Sequence, residues 1–214
     1  MSDFKYSEEY FNWQKTVGEF GGKANLFKFQ EYITVESLNI IDFGCGGGYL
    51  LDNIKCKNKI GTEINDVARE NAQNMGINVF PDINFIEDEW ADLIISNHAL
   101  EHANNPLDEI KKLKRKLKNG GKFVCVVPHE TSYIYSLNDV NQHLFTWAPQ
   151  NLLNLFSVAG YRVEKVERIF HSWPSNYLKI QKILGWKCFH LICRLNSKVF
   201  RKGYQTRIVG VRDD

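Results

Sequence analysis

Residues 40–51 read IIDFGCGGGYLL, four glycines within five positions between two apolar flanks. Glycine inside a regular element costs roughly 0.5–1 kcal/mol relative to alanine, so the cluster marks a backbone that must turn sharply and admit a ligand closely. A β-branched run feeding such a loop, with a helical pattern after it, belongs at the carboxyl edge of an open α/β sheet, where ligands bind. The chain keeps that rhythm. LNIIDF (38–43), KIGTEI (59–64), INVF (77–80), ADLIIS (91–96) and KFVCVV (122–127) read as strands. LLDNIK, DVARENAQNMG, PLDEIKKLKRKLKNGG and APQNLLNLFSVAG read as helices, the third opening on Pro106 and closing on Asn119-Gly120. Such alternation implies a parallel sheet covered on both faces. YRVEKVERIF (161–170) and YQTRIVGV (204–211) alternate apolar with polar residues, as a half-exposed or antiparallel edge does.

Two regions fall outside the rhythm. Residues 1–36 read as one or two helices broken at GEFGG (18–22), a cap ahead of a core at 37–170. Residues 171–203 carry Trp173, Tyr177, Trp186 and Phe189 among lysines and read as a helical insertion, a lid before the final strand at 204–212. Residues 1–214 are expected to form one domain. The first residues are acidic where a secretion signal is basic, and no apolar run reaches the ~18 residues that span a bilayer. Five cysteines without a CxxC pair point to reduced thiols and a cytoplasmic location. The net charge of +2 conceals an asymmetry, since residues 168–212 hold ten Lys+Arg and no acid. That stretch is either a solvated face or a patch for an anionic substrate, carrier or membrane surface.

The loop excludes two common uses. A GxGxxG fingerprint from Gly44 would need glycine where Tyr49 stands, and no GK[ST] of a phosphate-cradling loop follows. Asp42-x-Gly44-x-Gly46-x-Gly48 instead resembles motif I of class I S-adenosylmethionine-dependent methyltransferases. ADLIISNHALEH (91–102), LKNGGKFVCVVP (117–128) and HLFTWAPQNLLNLFSVAGYRVEKVE (143–167) are similar to that family's fourth strand and loop, fifth-strand entry, and helix leading to the sixth strand. The resemblance runs over 38–170, to the small-molecule or glycan branch. It implies a Rossmann-like, doubly wound, seven-stranded, mostly parallel sheet with the last strand antiparallel. It implies S-adenosylmethionine as cofactor, with Gly44, Cys45, Gly46 and Gly48 against its methionine part. Glu63 would lie at the ribose, with Ile64 also at the cofactor, Asp82 and Ile83 near the adenine, and Asn97 and His98 near the methionine end. Asp42 either orients the loop or the ligand's amino group through water, or caps strand-end amides. The chemistry agrees: this ligand has no phosphate, so its loop needs no lysine, and Glu63 offers a diol two acceptor oxygens.

A sulfonium already leaves well, so the protein contributes alignment and, for a hydroxyl acceptor, a base. His143 and His129 fall at loops above the sheet and are the candidate bases, each also open to a structural role. His98-Ala-Leu-Glu101-His102 resembles the ExxEH metal motif of ubiquinone-pathway and small-RNA 2′-O-methyltransferases, with His98 in place of the first glutamate. On a helix these three would share one face, with His143 a fourth ligand. LEH is also widespread in the family without a metal, so no metal is expected and that set stands as the alternative. The expected acceptor is a small molecule or glycan, foremost a saccharide hydroxyl in polysaccharide biosynthesis, with any phosphate met by the cations of 179–207. A quinone, lipid-linked or amine acceptor and a non-catalytic cofactor-binding subunit are the alternatives. No nucleic acid is expected, because no RNA-binding module is recognisable. YLKIQKILGWKCFHLICRLNSKVF either packs on the core or on a partner copy in a homodimer, or makes peripheral membrane contact through 177–202.

Overall fold

The first apolar run forms β1 (Asn39–Phe43), and the loop after it sits at the centre of a sheet. The computed structural model describes residues 8–36, 38–130 and 141–214, with side chains from residue 17 onward. Among the described residues seven strands pair in the order β3-β2-β1-β4-β5-β7-β6. They are β1, β2 (Asn58–Thr62), β3 (Asn78–Phe80), β4 (Ala91–Asn97), β5 (Leu117–Pro128), β6 (Arg162–Phe170) and β7 (Tyr204–Val211). The β1, β2, β3, β4 and β5 pairings are parallel, and β7 runs antiparallel to both β5 and β6. This is the Rossmann-like architecture expected. The winding reverses between β1 and β4, so the crevice beyond their carboxyl ends is the switch point.

Adjacent strand residues face opposite ways, and both faces are apolar because both are covered. Ile41, Ile94, Phe123 and Cys125 pack beneath α4 (Pro106–Lys116) and α5 (Pro149–Val158). Ile40, Leu93, Ile95 and Val124 pack with Leu50 and Leu51 of α2 (Tyr49–Asp52), Ala72 of α3 (Asp66–Asn74) and Phe29. Local signals set the helix starts. The Asn65 side chain accepts from Val67 N and Ala68 N to open α3, and Asn105 accepts from Asp108 N ahead of Pro106.

The structure departs from the sequence expectations in three places. GEFGG does not break the N-terminal helix; α1 (Glu8–Asn25) runs through it, followed by 3₁₀ turns at Leu26–Lys28 and Gln30–Tyr32, while residues 1–7 of the expected cap lie outside the described residues. The helix from Pro106 ends at Lys116, not at Asn119-Gly120. Leu117 already turns extended and fully buried into β5, and the four following residues bulge out before Lys122 pairs with Leu93. β7 is no edge: it lies between β5 and β6 with Gln205 to Val211 buried, and β6 is the outer strand. The insertion is helical as expected, α6 (Tyr177–Phe200), interrupted at Gly185, whose φ of 71° is not helical.

Candidate functional site

The glycine loop is tied to the neighbouring strand rather than to itself. Gly44 N and Cys45 N both donate to Thr62 O, at 2.9 and 3.0 Å. Gly44 has φ +73°, and a Cβ there would stand 2.2 Å from Ala99 Cβ. Only glycine meets both conditions. Glu63, one residue past β2, closes the loop: its Oε2 accepts from Gly46 N at 2.9 Å and its Oε1 from Asn65 N at 2.8 Å. Burial raises the Glu63 carboxyl above its ordinary range, against the lowering pull of those amides. Asp42 lies behind the loop, buried, and burial reinforced by the Glu63 charge pushes it up to about 8.

A cavity of about 650 Å³ opens over this loop, within the range of small-molecule sites. Gly44, Cys45, Gly46, Glu63 and Ile64 line one part of it, and Asp82, Ile83, Asn97 and His98 another. Asp42 and Gly48 do not reach the cavity; Gly48, at φ +86°, starts α2 instead. Ile64 is 63% exposed there, an apolar surface for a flat ring, and Asp82 caps the next turn by accepting from Asn84 N at 2.7 Å. The roof comes from the segments read in the sequence as cap and lid, although none of their residues was singled out for binding. Gly18, Gly21, Gly22 and Asn25 of α1 form it with Trp173. Their signal was present, because small residues at i, i+3 and i+4 form a helix face that another element can approach closely. Lys28 had no signal. Its buried ammonium donates to Asn97 Oδ1 at 2.8 Å, and burial, only partly opposed by Glu101, lowers it to about 7.

Of the candidate histidines, His98 and His102 line the cavity wall and His143 stands against His102. His143 Nδ1 lies 2.7 Å from Glu130 Oε1, its Nε2 lies 3.9 Å from Glu101 Oε1, and its ring centroid is 4.9 Å from that of His102. Glu101 is fully buried, and neither carboxylate oxygen has a hydrogen-bond partner. Burial alone would raise its carboxyl, yet the His98 contact at 3.5 Å and the charge of His102 leave it net below the usual range. The 98–102 segment does not form the helix that the metal alternative would need: Leu100–His102 is a 3₁₀ turn and His98 has φ +59°, so the three do not share one helical face. The group whose ligand atoms lie within 4.8 Å of one another is instead Glu101, His102 and His143. His129 is held apart, its Nδ1–H donating to Trp147 O at 2.9 Å, which leaves Nε2 the acceptor in the neutral ring.

Sheet order, switch-point crevice and a lysine-free glycine loop closed by an acid define a class I methyltransferase fold. Residues 13–166 match the family described as a methyltransferase domain, and the chain belongs to that family. It is 25% identical over 130 residues to the ubiquinone biosynthesis O-methyltransferase of Roseobacter denitrificans, covering 54% of this chain and 51% of that protein. The enzyme of the same name from Coxiella burnetii is 27% identical over 127 residues, 53% of this chain and 54% of that one. The chain thus spans about half the length of the curated relatives it matches. A SAM dependent methyltransferase from Archaeoglobus fulgidus shares the fold with a TM-score of 0.62 at 20% identity, covering 93% of this chain and 99% of that one.

The cofactor of this fold and family is S-adenosylmethionine, and the residues fit it. Each Glu63 oxygen accepts one backbone hydrogen bond and keeps capacity for a diol, Ile64 offers an exposed apolar face, and the loop presents backbone rather than cations.

Proposed function

We propose that this chain methylates a hydroxyl oxygen of a small-molecule acceptor, using the sulfonium methyl that its cofactor supplies. What carries the proposal is the His143–Glu130 contact of 2.7 Å beside the cofactor cavity. Glu130 accepts from Nδ1–H and fixes the tautomer, so Nε2 keeps its lone pair and takes the acceptor's proton as the oxygen gains the methyl. Glu63, Gly46 and Ile64 bind and orient the donor; Asn97, held by Lys28, lines the inner wall. His129, whose Nδ1–H is held by Trp147 O, is the second candidate base through Nε2.

For the acceptor, a phenolic hydroxyl of the quinone-precursor class stands ahead of the saccharide expected from sequence, because the two curated relatives described above bear the name ubiquinone biosynthesis O-methyltransferase. Transfer of a labelled methyl from S-adenosylmethionine to a catechol, run beside free saccharides, tests the order. A saccharide product without a catechol product overturns it. Labelled transfer to neither class, from protein that binds S-adenosylhomocysteine, supports a non-catalytic cofactor-binding subunit.

A second reading has its own observation: the two orphaned oxygens of buried Glu101 beside His102 and His143. Those three residues suit a divalent cation, which lowers the pKa of a bound hydroxyl and so reduces the need for a base. Activity unchanged after exhaustive chelation assigns the cluster to the base alone; loss restored by one added divalent metal assigns it to the ion.

A further inference from the structure

The helix α6 has two apolar faces, and among the described residues only one of them is covered. From residue 186 on, Phe189, Cys193 and Ser197 are buried, and Phe189 and Cys193 pack with Ala24 of α1. On the opposite side Cys188, Leu191, Leu195 and Val199 recur at i, i+3, i+7 and i+11, one continuous stripe. Leu191 is 58% exposed, Leu195 55% and Val199 72%. Ahead of the Gly185 interruption Leu178, Ile183 and Leu184 are exposed as well, and Phe200 extends the stripe at its far end. An unpartnered apolar stripe of this length is uncommon on a helix that faces water.

Lys187, Arg194 and Lys198 fall along one flank of the stripe, all exposed. Arg194 and Lys198 also line a cleft of about 670 Å³ between α6 and β6, where Arg168 joins them. The acids of that cleft do not answer these cations, for Glu31 and Glu167 are both engaged by Arg207. No acid occurs anywhere from 168 to 212.

We infer that the outer face of α6 docks this protein on an anionic lipid surface. Its leucines and valine enter the headgroup–acyl boundary, while the flanking lysines and arginines meet lipid phosphates. The charge pattern selects this occupant over a second copy of the chain. Pairing α6 with itself would set two rows of cations side by side with no carboxylate between them, whereas an anionic leaflet neutralises both rows. Among the described residues no helix is long and apolar enough to cross a membrane, so the helix lies on the surface rather than spanning it. The surface also meets the cavity: Trp186 and Phe189 of α6 pack tilted and edge-on against Phe20 of α1, which in turn meets Trp173 of the cavity roof edge-on.

The inference rests on the surface alone, so the test needs no methyl transfer. The full chain is floated with phosphatidylcholine vesicles and with vesicles containing phosphatidylglycerol. It is expected to float with the second and not the first, and to be released by salt. Leu191→Glu with Leu195→Glu should abolish flotation, and each Lys187→Gln or Lys198→Gln should weaken it roughly fivefold. Calorimetry with S-adenosylhomocysteine on the same variants shows that the fold survives. Flotation undiminished in the folded leucine double variant overturns the inference. So does a wild-type chain that ignores anionic vesicles at low salt, or a dimer that the leucine variant dissociates while neither form floats.

Discussion

Glu63 holds the loop before any ligand arrives, since its two oxygens already fix Gly46 and Asn65. Glu63→Gln replaces one acceptor oxygen with a donor, so it must lose either a loop amide or a ribose hydroxyl. Hydrogen bonds to charged groups contribute about 1.5–3 kcal/mol, and isothermal calorimetry should therefore find S-adenosylhomocysteine bound roughly 10- to 100-fold more weakly. Gly44→Val should abolish that heat altogether, because the new Cβ meets Ala99 while the backbone stays at φ +73°. Both residues were legible in the sequence, for the motif spacing alone demands a glycine turn and an acid after the next strand. Lys28 and the Glu130 partner of His143 were not. Lys28 reaches its site only because the N-terminal segment packs under a strand 69 residues away, and no local pattern records such a contact.

α1 shows how a correct observation misled. GEFGG looks like a helix break because glycine weakens helices by ~1 kcal/mol each, yet α1 continues through it and its glycines bring it close over α2. A Cβ at Gly22 would stand 2.2 Å from Tyr49 O, and one at Gly18 2.3 Å from the Tyr49 ring; at Gly21 it would meet Trp173 at an ordinary 3.5 Å. The three positions therefore separate close approach from mere helix weakness. Gly22→Ala should lower the melting temperature and weaken S-adenosylhomocysteine binding, since α1 must lift off α2 and carry the cavity roof with it. Gly21→Ala should raise stability by about 0.4–1 kcal/mol in the same thermal melt. Two equal shifts of the same sign would refute the packing account. The mostly parallel seven-stranded sheet and its antiparallel β7 were legible, from the alternation of elements and from the family resemblance. The end of α4 was not, because Asn119-Gly120 reads equally as a helix stop and as the bulge it forms in β5.

Two buried ionisable groups, Asp42 in β1 and Lys28 against Asn97 at the end of β4, tune the stability of the whole fold in opposite directions. Asp42 is raised from 3.8 to about 8, so the folded chain binds the extra proton between those values. Its contribution is complete below pH 4 and is lost as pH rises through 8. Lys28 is lowered from 10.5 to about 7, so there the unfolded chain binds the extra proton. Its contribution is complete above about pH 10.5 and is lost as pH falls through 7. Neutral replacements isolate each effect, because every other titrating group cancels in the difference from wild type. The advantage of Asp42→Asn over wild type should grow from pH 4 to pH 8 and then level. That of Lys28→Met should be largest below pH 7 and shrink toward pH 10. Fixed offsets from altered packing move either curve up or down but leave its slope, so the slope is what denaturant unfolding across pH 5–10 must report. Shifts of this size correspond to several kcal/mol, at roughly 1.4 kcal/mol per pH unit, well above the error of such melts. Parallel, flat difference curves would mean that neither group is perturbed as its burial requires. Water would then reach both, and the packed floor beneath the cofactor loop would be open.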